Sequence, residues 1–532
     1  KLIGRCVRLV DCLDNSLALS GSNTDSAKFI DLENDVTLTY QEMVYASVHL
    51  ADHLVRKGIS SGDVVATYAP NSVAAYCCIF AISRIGAIWL PLNVRNTLDA
   101  NLKLIEQSGA TLLFLDDRVV MQNPELANIF GDEKLIFLDG QQVAGLNFSF
   151  LKGAPERSLD HCGSTEYKED MTVVSLLATG GTTGDSKLAE WGSATWKTMI
   201  GIQQELMPPP DIPGCYLVAA PMSHAAGVAS FATILQGFTI LVMDGLVPEK
   251  LLATIEQYQV TSLFLPPTAI YMLLAYDDVK NYDYSSLRYF WYAAAPMSVE
   301  KLKEAISVFG PVMVQTYGQV EAPMMCTFFS PQDHVEAVET ANASMLRSCG
   351  KMAPHVELAI MDDEGNKLPF GQEGEIAVKG NLLMKGYHKN PEATQEIRTG
   401  GWQFTGDVGI FDQAGYLSIV DRKRDMIISG GFNVYPSEIE QLIWGLPGVK
   451  DCAVIGVPDE KWGEQVTAVV ELKDSDSVPN EQEIVQYCKD RLGSVKAPKQ
   501  VLFWDALPRS PVGKVLKKEI RKVFWDEQGR NI

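Results

Sequence analysis

The strongest fold signal in this sequence is the segment Leu176-Leu-Ala-Thr-Gly-Gly-Thr-Thr-Gly-Asp-Ser-Lys187. It follows an apolar run at residues 173–177 that we predict to be a strand. Three glycines allow backbone N–H groups to close around an anion, three threonines add hydroxyl donors, and Lys187 adds a compact positive charge. The pattern predicts a polyphosphate-binding loop, with these expected ligands: Thr179, Gly180, Gly181, Thr182, Thr183, Gly184 and Lys187.

Two better-known phosphate loops do not match this segment. A Walker A loop requires Gly-Lys followed by Ser or Thr, whereas Lys187 follows Ser186 and precedes Leu188. The segment also lacks the dinucleotide fingerprint Gly-x-Gly-x-x-Gly. The alternative interpretation is a flexible surface loop whose lysine is simply solvated.

The composition is that of a large globular protein. The 532 residues suggest three or four structural units. With 46% hydrophobic and 21% charged residues, the chain can bury a large core and is not typical of a disordered protein. The formal net charge of −21 disfavours a dedicated nucleic-acid binder, because an acidic surface repels phosphate backbones. A local basic pocket for a small phosphorylated ligand is compatible with this charge.

The apolar runs and the cysteines favour a cytoplasmic protein without a transmembrane segment. The longest apolar run, residues 73–82, is too short to span a bilayer, and Ser83-Arg84 ends it. The ten cysteines form no Cys-x-x-Cys pair, so we expect free thiols in a reducing compartment. No charged-then-apolar signal segment opens the sequence. Because the sequence begins at Lys1, an organellar targeting segment upstream of it is the alternative.

The order of predicted elements in the first two thirds of the chain indicates α/β layers. Residues 40–57 have helical periodicity and end at Gly58, while residues 63–68, 111–115 and 135–138 are predicted strands. Strands separated by helices imply parallel sheets. Further predicted strands of this kind lie at residues 214–220, 239–243, 262–265 and 289–292.

The pattern changes near residue 356. Short predicted strands at residues 356–361, 374–378 and 415–420 indicate an added β subdomain. After residue 422, two predicted strands at 452–457 and 465–472 and a helix at 481–492 indicate a small α+β domain. The predicted fold class is therefore α/β, with a large N-terminal domain and a small C-terminal one.

Four further segments complete a recognisable set of motifs. They are Gln315-Thr-Tyr-Gly-Gln-Val-Glu321, Trp402-Gln-Phe-Thr-Gly-Asp407, Asp421-Arg-Lys-Arg-Asp425 with Gly430-Gly-Phe-Asn-Val-Tyr-Pro436, and Pro508-Arg-Ser-Pro-Val-Gly-Lys514. Together with the glycine-rich segment, they resemble in order and spacing the motifs of the adenylate-forming superfamily. That superfamily contains acyl- and aryl-CoA synthetases, luciferases and the adenylation domains of peptide synthetases. The resemblance covers about residues 37–521 and is closest to acid–CoA ligases.

The resemblance implies where ATP and Mg²⁺ bind. Glu321 would hold Mg²⁺ together with phosphate oxygens and water, the alternative being an exposed glutamate at the start of a helix. Asp407 would accept hydrogen bonds from the ribose hydroxyls, with support from Arg422. The other implied nucleotide-binding residues are Ala294, Ala295, Pro296, Gln315, Thr316, Tyr317, Gly318, Gln319, Val320 and Lys514.

The resemblance also implies an acyl pocket and a substrate class. The implied pocket residues are His224, Ala225, Ala293, Gly318, Met324 and Met325. Residues 221–227 contain no aspartate that could pair with the amino group of an amino acid. Small walls on one side and two thioethers on another suit an apolar carboxylic acid, either aliphatic or aromatic.

The C-terminal motifs imply a mobile domain. The implied division is residues 1–421 and 422–532, with a hinge at Arg424 and the catalytic Lys514 in the smaller part. Coenzyme A would contact Gly430, Gly431 and Phe432. The implied reaction is ATP-dependent ligation of an acid to CoA, with Lys514, Lys187 and Glu321 as the catalytic residues. A homodimer is compatible with this reading.

Three alternatives stay open because the motifs depart from the family pattern. Ser186 and Leu188 replace the usual proline and glycine of the phosphate loop, and Val320 replaces a threonine. The protein could transfer the acyl group to a carrier-protein pantetheine instead of CoA. It could also be a luciferase-like oxygenase, or a catalytically weakened adenylate-binding protein.

Overall fold

The computed structural model describes most of the chain. The described residues are 8–19, 27–139, 142–144, 146–147, 172–179, 186–429, 432–459, 461–474, 478–510 and 514–525.

Residues 8–147 alternate helices and strands, as the sequence predicts. The predicted helix at 40–57 is confirmed as Tyr40–Arg56. Thr39 caps it, because its side chain accepts from the Glu42 N–H while the Glu42 carboxylate accepts from the Thr39 N–H. The elements are α1 (Leu9–Leu19), β1 (Lys28–Asp31), β2 (Val36–Thr39), α2 (Tyr40–Arg56), β3 (Val64–Tyr68), α3 (Val73–Arg84), β4 (Ile88–Leu92), α4 (Leu98–Ser108), β5 (Leu112–Asp116), α5 (Asp117–Gln122), α6 (Leu126–Ile129), β6 (Leu135–Leu138), β7 (Gln142–Val143) and β8 (Leu146–Asn147).

The next part of the chain, up to residue 352, continues this alternation and ends in a hairpin. Its elements are β9 (Val173–Ala178), β10 (Leu188–Gly192), α7 (Ser193–Leu206), β11 (Cys215–Val218), α8 (Ala225–Leu235), β12 (Thr239–Val242), α9 (Pro248–Gln257), β13 (Ser262–Phe264), α10 (Pro267–Leu274), β14 (Tyr289–Tyr292), α11 (Val299–Phe309), β15 (Met313–Gln319), β16 (Ala322–Phe329), α12 (Pro331–Glu339), α13 (Ala343–Arg347) and β17 (Lys351–Met352).

The remaining elements form two smaller sheets with few helices. The first group is β18 (Glu357–Met361), β19 (Gly374–Lys379), α14 (Pro391–Glu396), β20 (Arg398–Thr399), β21 (Trp402–Phe411) and β22 (Leu417–Arg422). The second group is β23 (Ile427–Ser429), β24 (Phe432–Val434), α15 (Pro436–Trp444), β25 (Val449–Asp459), β26 (Gly463–Leu472), α16 (Glu481–Lys496), β27 (Gln500–Phe503) and α17 (Lys517–Trp525). The predicted strands and helix of these regions are confirmed, with ends displaced by a few residues.

Two large sheets form the centre of the molecule. One has nine strands in the order β17-β16-β15-β14-β13-β11-β12-β1-β2, and its strands from β1 to β15 along this order pair in parallel. The other has eight strands in the order β10-β9-β4-β3-β5-β6-β7-β8, with parallel pairing from β9 to β6. This arrangement confirms the predicted α/β class. A parallel sheet needs helices between its strands, and α3 and α8 pack against the sheets in that role.

The long apolar run of the sequence is a core helix. Every residue of α3 is buried, which explains its lack of a polar face. Aromatic rings of Tyr76 and Phe80 in α3 pack against Phe29 and Phe231. Within the described ranges, no helix combines the length and the apolar character that crossing a bilayer would require.

The strand order places several motifs at one edge of the nine-stranded sheet. Parallel strands end at the same edge, and ligands of open α/β sheets bind outside these carboxyl ends. His224 follows β11, Ala293 follows β14, and Gln319 ends β15. Motifs that are far apart in sequence therefore meet at this edge.

Candidate active site

The glycine-rich segment connects β9 to β10. These two strands pair antiparallel, so the predicted strand before the segment is confirmed. The Thr179 N–H donates to the Lys187 carbonyl over 2.8 Å, and the Lys187 N–H donates to Thr179 Oγ1 over 3.1 Å. These bonds fix the base of the loop and leave Lys187 exposed at its end. The other predicted ligands of this loop, Gly180, Gly181, Thr182, Thr183 and Gly184, lie outside the described residues.

Glu321 lies in the turn of the hairpin between β15 and β16, not at the start of a helix. The turn is held from three other elements. Trp191 Nε1 donates to the Val320 carbonyl over 2.7 Å. The Glu321 carbonyl accepts from Gln403 Nε2 over 2.9 Å and from the Met384 N–H over 3.0 Å. The backbone that carries the predicted metal carboxylate is therefore rigidly placed before any ligand binds.

Tyr387 brings Glu321 and Lys187 to one place. The Tyr387 hydroxyl donates to Glu321 Oε1 over 2.6 Å, and Lys187 Nζ lies 4.8 Å from the centroid of the Tyr387 ring. Burial raises the pKa of Tyr387, and the negative charge of Glu321 adds to this shift, so the hydroxyl stays protonated. The sequence predicted both charged residues but missed Tyr387, which is 66 positions from Glu321 in a segment without a recognised motif.

The chemistry around Glu321 fits magnesium. Mg²⁺ usually takes one or two carboxylates and completes its shell with phosphate oxygens and water. Only Oε1 of Glu321 accepts a hydrogen bond from a described residue, which leaves Oε2 for a cation. Among the described residues no cluster of three or more His, Cys, Asp and Glu side chains could hold a metal by itself. Glu321 would therefore share the ion with the phosphates of a nucleotide.

Asp407 and Arg422 face each other across two strands. They are register partners of β21 and β22, and Arg422 Nε lies 3.4 Å from Asp407 Oδ1. The Tyr317 hydroxyl donates to Asp407 Oδ2 over 2.6 Å. Burial raises the pKa of Asp407, while the charge of Arg422 and the hydrogen bond from Tyr317 oppose this shift. The arrangement provides a fixed carboxylate that can accept from a ribose.

Gln315 and Thr316 lie at the start of the same hairpin, and neighbouring aromatic side chains contact both. Trp291 Nε1 donates to Thr316 Oγ1 over 2.8 Å, and Thr316 is 3% exposed. The Thr316 hydroxyl is therefore engaged by the sheet, and the role of Thr316 as a nucleotide ligand stays a prediction. The Tyr292 hydroxyl lies 3.1 Å from Gln315 Oε1 and 2.9 Å from His334 Nε2. These contacts orient the Gln315 side chain.

Close backbone approach and backbone conformation explain the glycine and the small residues at this edge of the sheet. A Cβ on Gly318 would lie 2.3 Å from the Met324 backbone nitrogen, so only glycine lets the hairpin close. Gln319 and Val320 are half-buried beside it. Ala294 has a φ of 76° and is exposed with Pro296, while Ala293 and Ala295 are half-buried. The predicted nucleotide and acyl residues that follow β14 therefore lie at the open edge of the sheet.

His224 lies where the chain enters α8, next to the half-buried Ala225. Its Nδ1 is 2.9 Å from Ser223 Oγ. The ring keeps solvent-accessible surface, yet protein surrounds it closely. This burial, with the positive charges of Lys514 and Arg95, lowers the pKa of His224 to about 4. The imidazole is therefore neutral at physiological pH and can line an apolar site without a charge.

The two predicted thioethers differ in position. Met324 is half-buried and has a φ of 57°. Met325 is fully buried in the core and offers no surface to a substrate, so its predicted role in the acyl pocket is corrected. Both faces of β16 are covered at this point, because Cys326 beside Met325 is buried as well. Strand alternation alone did not distinguish the pocket side from the core side.

Lys514 reaches the large domain from the small one. The charges of Arg422, Asp407 and Arg424 shift the pKa of Lys514, and Lys514 in turn helps to lower the pKa of His224, so the ammonium lies within electrostatic range of these groups. The side chain is accessible from the cleft but has protein on several sides. Burial lowers the pKa of Lys514 to about 8; repulsion from Arg422 adds to the shift, and Asp407 opposes it.

The two ends of the segment that carries Lys514 are bonded to each other. The Lys514 N–H donates to Ser510 Oγ over 3.1 Å, and the Ser510 N–H donates to the Lys514 carbonyl over 2.7 Å. Arg509 and Val515 form a bridge across the base of this turn. The sequence predicted that a turn, and not a helix face, presents Lys514, and in the structure Lys514 precedes α17 and lies outside any helix. Residues 511–513 lie outside the described residues.

The predicted hinge is connected to both domains. Arg424 keeps exposed surface, but the protein that surrounds its guanidinium, together with repulsion from Arg422, lowers its pKa. Arg521 of α17 pairs with Asp425 over 3.2 Å. The Ser437 N–H, in the first turn of α15, donates to Asp421 Oδ2 over 2.9 Å.

Among the predicted CoA residues, only Phe432 is described, and it is 58% exposed on the hairpin β23–β24. Gly430 and Gly431 lie outside the described residues.

Comparison with known proteins agrees with these motifs. Residues 20–388 match the family described as AMP-binding enzyme, and residues 438–514 match the AMP-binding enzyme C-terminal domain. The chain is 39% identical over 367 residues to a medium/long-chain-fatty-acid–CoA ligase, FadD8, of Mycobacterium tuberculosis, an alignment that covers 68% of this chain and 63% of that protein. It is 34% identical to a feruloyl-CoA synthase of an Amycolatopsis species, over 92% of this chain and 94% of that one.

A solved structure extends this similarity to nearly the whole fold. The ATP-bound MatB of Rhodopseudomonas palustris superposes with a TM-score of 0.84 at 28% identity, covering 97% of this chain and 99% of that chain. The two family matches follow one another along the chain in the same order as the nucleotide motifs and the Lys514 turn. The chain therefore belongs to the adenylate-forming AMP-binding enzymes.

Proposed function

We propose that this protein is an AMP-forming acid–CoA ligase that activates an apolar carboxylic acid with ATP and transfers it to coenzyme A. One observation carries the proposal. Lys187 and Glu321 meet at Tyr387, and Lys514 of the other domain lies close enough to Asp407 for the two charges to interact. Two cations, a metal carboxylate and a ribose carboxylate are what an enzyme needs to bind ATP and to act at its α-phosphate.

In the first half-reaction, a carboxylate oxygen of the acid forms a bond to the α-phosphorus of ATP. The bond from that phosphorus to the oxygen bridging the β-phosphate breaks, and pyrophosphate leaves. Lys514 would hold the two anions together, and Lys187 would neutralise the departing pyrophosphate. Mg²⁺ bound at Glu321 would supply further neutralisation of phosphate charge.

In the second half-reaction, the thiol of CoA attacks the acyl carbon, the acyl–phosphate bond breaks, and AMP leaves with the electron pair. We assign residues 1–421 to the nucleotide-binding domain and residues 422–532 to the domain that moves. Rotation at Arg424 would withdraw Lys514 and bring Gly430, Gly431 and Phe432 to the acyl-adenylate. The exposed ring of Phe432 is consistent with a surface that becomes covered in a second conformation.

The acid is proposed to be a fatty or an aromatic one. Neutral His224, Ala225, Ala293 and Met324 provide weakly polar walls, which would favour an apolar chain or ring. The two curated relatives described above are named for a medium- or long-chain fatty acid and for a feruloyl group. A cytoplasmic location and a homodimer belong to the same proposal.

The test is a substrate screen with a balance of products. The protein is incubated with Mg·ATP, CoA and a panel of fatty acids and hydroxycinnamic acids, and AMP, pyrophosphate and thioester are quantified. Equal amounts of AMP and thioester with at least one acid are expected. Pyrophosphate without a CoA thioester would point to a carrier-protein pantetheine as the acceptor. No AMP with any acid would contradict the proposed function.

A further inference from the structure

Tyr387 contacts two side chains of opposite charge. Its hydroxyl donates to the Glu321 carboxylate over 2.6 Å, and its ring face lies 4.8 Å from the Lys187 ammonium. A carboxylate attracts the positive end of an O–H group, and a cation attracts the negative face of an aromatic ring. One neutral side chain therefore contacts both the metal carboxylate and the phosphate-loop lysine.

Tyr387 is itself held rigidly. It is 8% exposed, and its N–H donates to Thr394 Oγ1 over 2.9 Å. Tyr387 forms an antiparallel β-bridge with Ala189 of β10, and β10 begins directly after Lys187. The backbone of Tyr387 is therefore tied to the strand that follows Lys187. The ring therefore has a fixed position relative to both the hairpin of Lys187 and the hairpin of Glu321.

The position of the ring prevents an unproductive contact. Opposite charges on neighbouring hairpins attract each other, and a direct ion pair would use up both groups that a nucleotide needs. Between the described residues Lys187 and Glu321 there is no such ion pair. Glu321 Oε1 is satisfied by the tyrosine, so the carboxylate gains little from turning toward the lysine.

We propose that Tyr387 is a positioning residue that orients Glu321 for the metal and separates it from Lys187 until the nucleotide binds. The proposal rests on the proposed function, because it assumes that ATP and Mg²⁺ bind here. It assigns two separable tasks to one side chain. The hydroxyl orients the carboxylate, and the bulk of the ring keeps the two charges apart.

The chain contains a matched control. The Tyr416 hydroxyl donates to Asp333 over 2.7 Å, and Lys351 Nζ lies 4.5 Å from the centroid of its ring. The geometry is almost the same, but neither Asp333 nor Lys351 belongs to the nucleotide motifs. Tyr416→Phe removes the same kind of hydrogen bond without touching the proposed site.

The experiment measures equilibrium binding of ATP by calorimetry, with and without Mg²⁺, on the full chain. Tyr387→Phe should raise the Mg²⁺ concentration needed for half-maximal ATP binding by about 10- to 100-fold, as expected for loss of a hydrogen bond to a charged group. It should leave metal-free ATP binding unchanged, since the ring remains. Tyr416→Phe should match the natural protein in both measurements. Equal Mg²⁺ dependence of Tyr387→Phe and the natural protein would overturn the orienting role.

A second set of variants tests whether Tyr387 separates Lys187 from Glu321. Tyr387→Leu should weaken metal-free ATP binding several-fold, because Lys187 can then pair with Glu321. Adding Glu321→Gln to Tyr387→Leu should restore that binding, and a failure to restore it would overturn the separating role. Thermal unfolding checks that each variant is folded. If Tyr387→Leu does not fold, Tyr387→Phe still tests the proposal. A natural protein that binds no ATP would contradict the proposed function instead.

Discussion

The two sides of the proposed phosphate site are built in opposite ways. The turn of Glu321 is fixed by hydrogen bonds from Trp191, Gln403 and Met384, all within the large domain. The turn of Lys514 is closed by Ser510 and tied through Arg509 to Asp451 and Glu471 of the small domain, so it approaches the site from the other domain. The first side is ready before ligands arrive, whereas the second depends on how the domains are oriented.

The electrostatic surroundings of Glu321 and Lys514 differ as well. Glu321 has a satisfied hydrogen bond, but Lys514 lies near the like charges of Arg422 and Arg424, with Asp407 as the compensating carboxylate. Gathering cations in a partly desolvated cleft is unfavourable until an anion binds. This difference indicates that bound phosphate would stabilise the arrangement of Lys514 far more than that of Glu321.

We expect the largest effect on adenylation from a change at Lys514, on the side that is proposed to move. Lys514→Ala removes the cation between the acid and the α-phosphate and should slow adenylation by about 10²–10³-fold, the typical value for one such donor. Acid-dependent pyrophosphate exchange measures this step. Conversion of synthetic acyl-adenylate and CoA to thioester should be nearly unchanged, because in the proposed mechanism Lys514 has left the site before this step.

The control for this variant is Lys518→Ala, which should change neither step. Lys517 is closer in sequence but unsuitable, since its ammonium pairs with the buried Glu440 over 2.8 Å and its loss would leave a buried charge unpaired. If Lys514→Ala slows both half-reactions equally, the alternation of domains is wrong for this protein.

The fixed side should show a smaller loss. Lys187→Ala removes one charge-assisted contact to the departing pyrophosphate and should cost about 1.5–3 kcal/mol in adenylation. The loop base should survive, because the two bonds that close it use the backbone of Lys187. The KM for ATP and the rate of pyrophosphate exchange are the measurements. An equal loss in thioester formation from synthetic acyl-adenylate would make the loop structural.

The pH dependence should also separate the two sides. Since the pKa of Lys514 is lowered to about 8, its charge is present below that pH and is lost above it. The kcat/KM for adenylation should therefore fall as the pH rises through about 8. Lys514→Arg should move this decline to higher pH, because a guanidinium stays protonated. The same decline in the thioester-forming step would assign it to another group.

Sequence patterns predicted the framework well, because local patterns determine it. The helix α2 follows from its periodicity and from the capping pair of Thr39 and Glu42. The strands of the parallel sheets follow from short apolar runs between helices. Glu321, Asp407 and Lys514 were identified through segments of a few residues that resemble family motifs.

The failures concern facts that sequence neighbours do not encode. Met325 lies on a strand with both faces covered, so alternation could not say which face meets a pocket. The sequence also did not predict that Trp291, 25 positions earlier in the chain, binds the Thr316 hydroxyl. Tyr387 acquires its role only when a distant segment folds against Glu321.

The smallest effect is expected at Val320, on the fixed side of the site. Val320→Thr adds a hydroxyl next to Glu321 while keeping the shape of the side chain. The turn should not move, because Trp191 binds the Val320 carbonyl and not its side chain. The residue is half-buried, so the hydroxyl keeps some access to water, and we expect a stability cost of about 1 kcal/mol, the lower end for burying a hydroxyl. The KM for Mg·ATP should fall slightly or stay the same, because a hydroxyl at this place can donate to phosphate. A large loss of activity in a variant with a normal unfolding temperature would mean that this side chain faces the core, and the orientation assigned to the Glu321 turn would then be wrong.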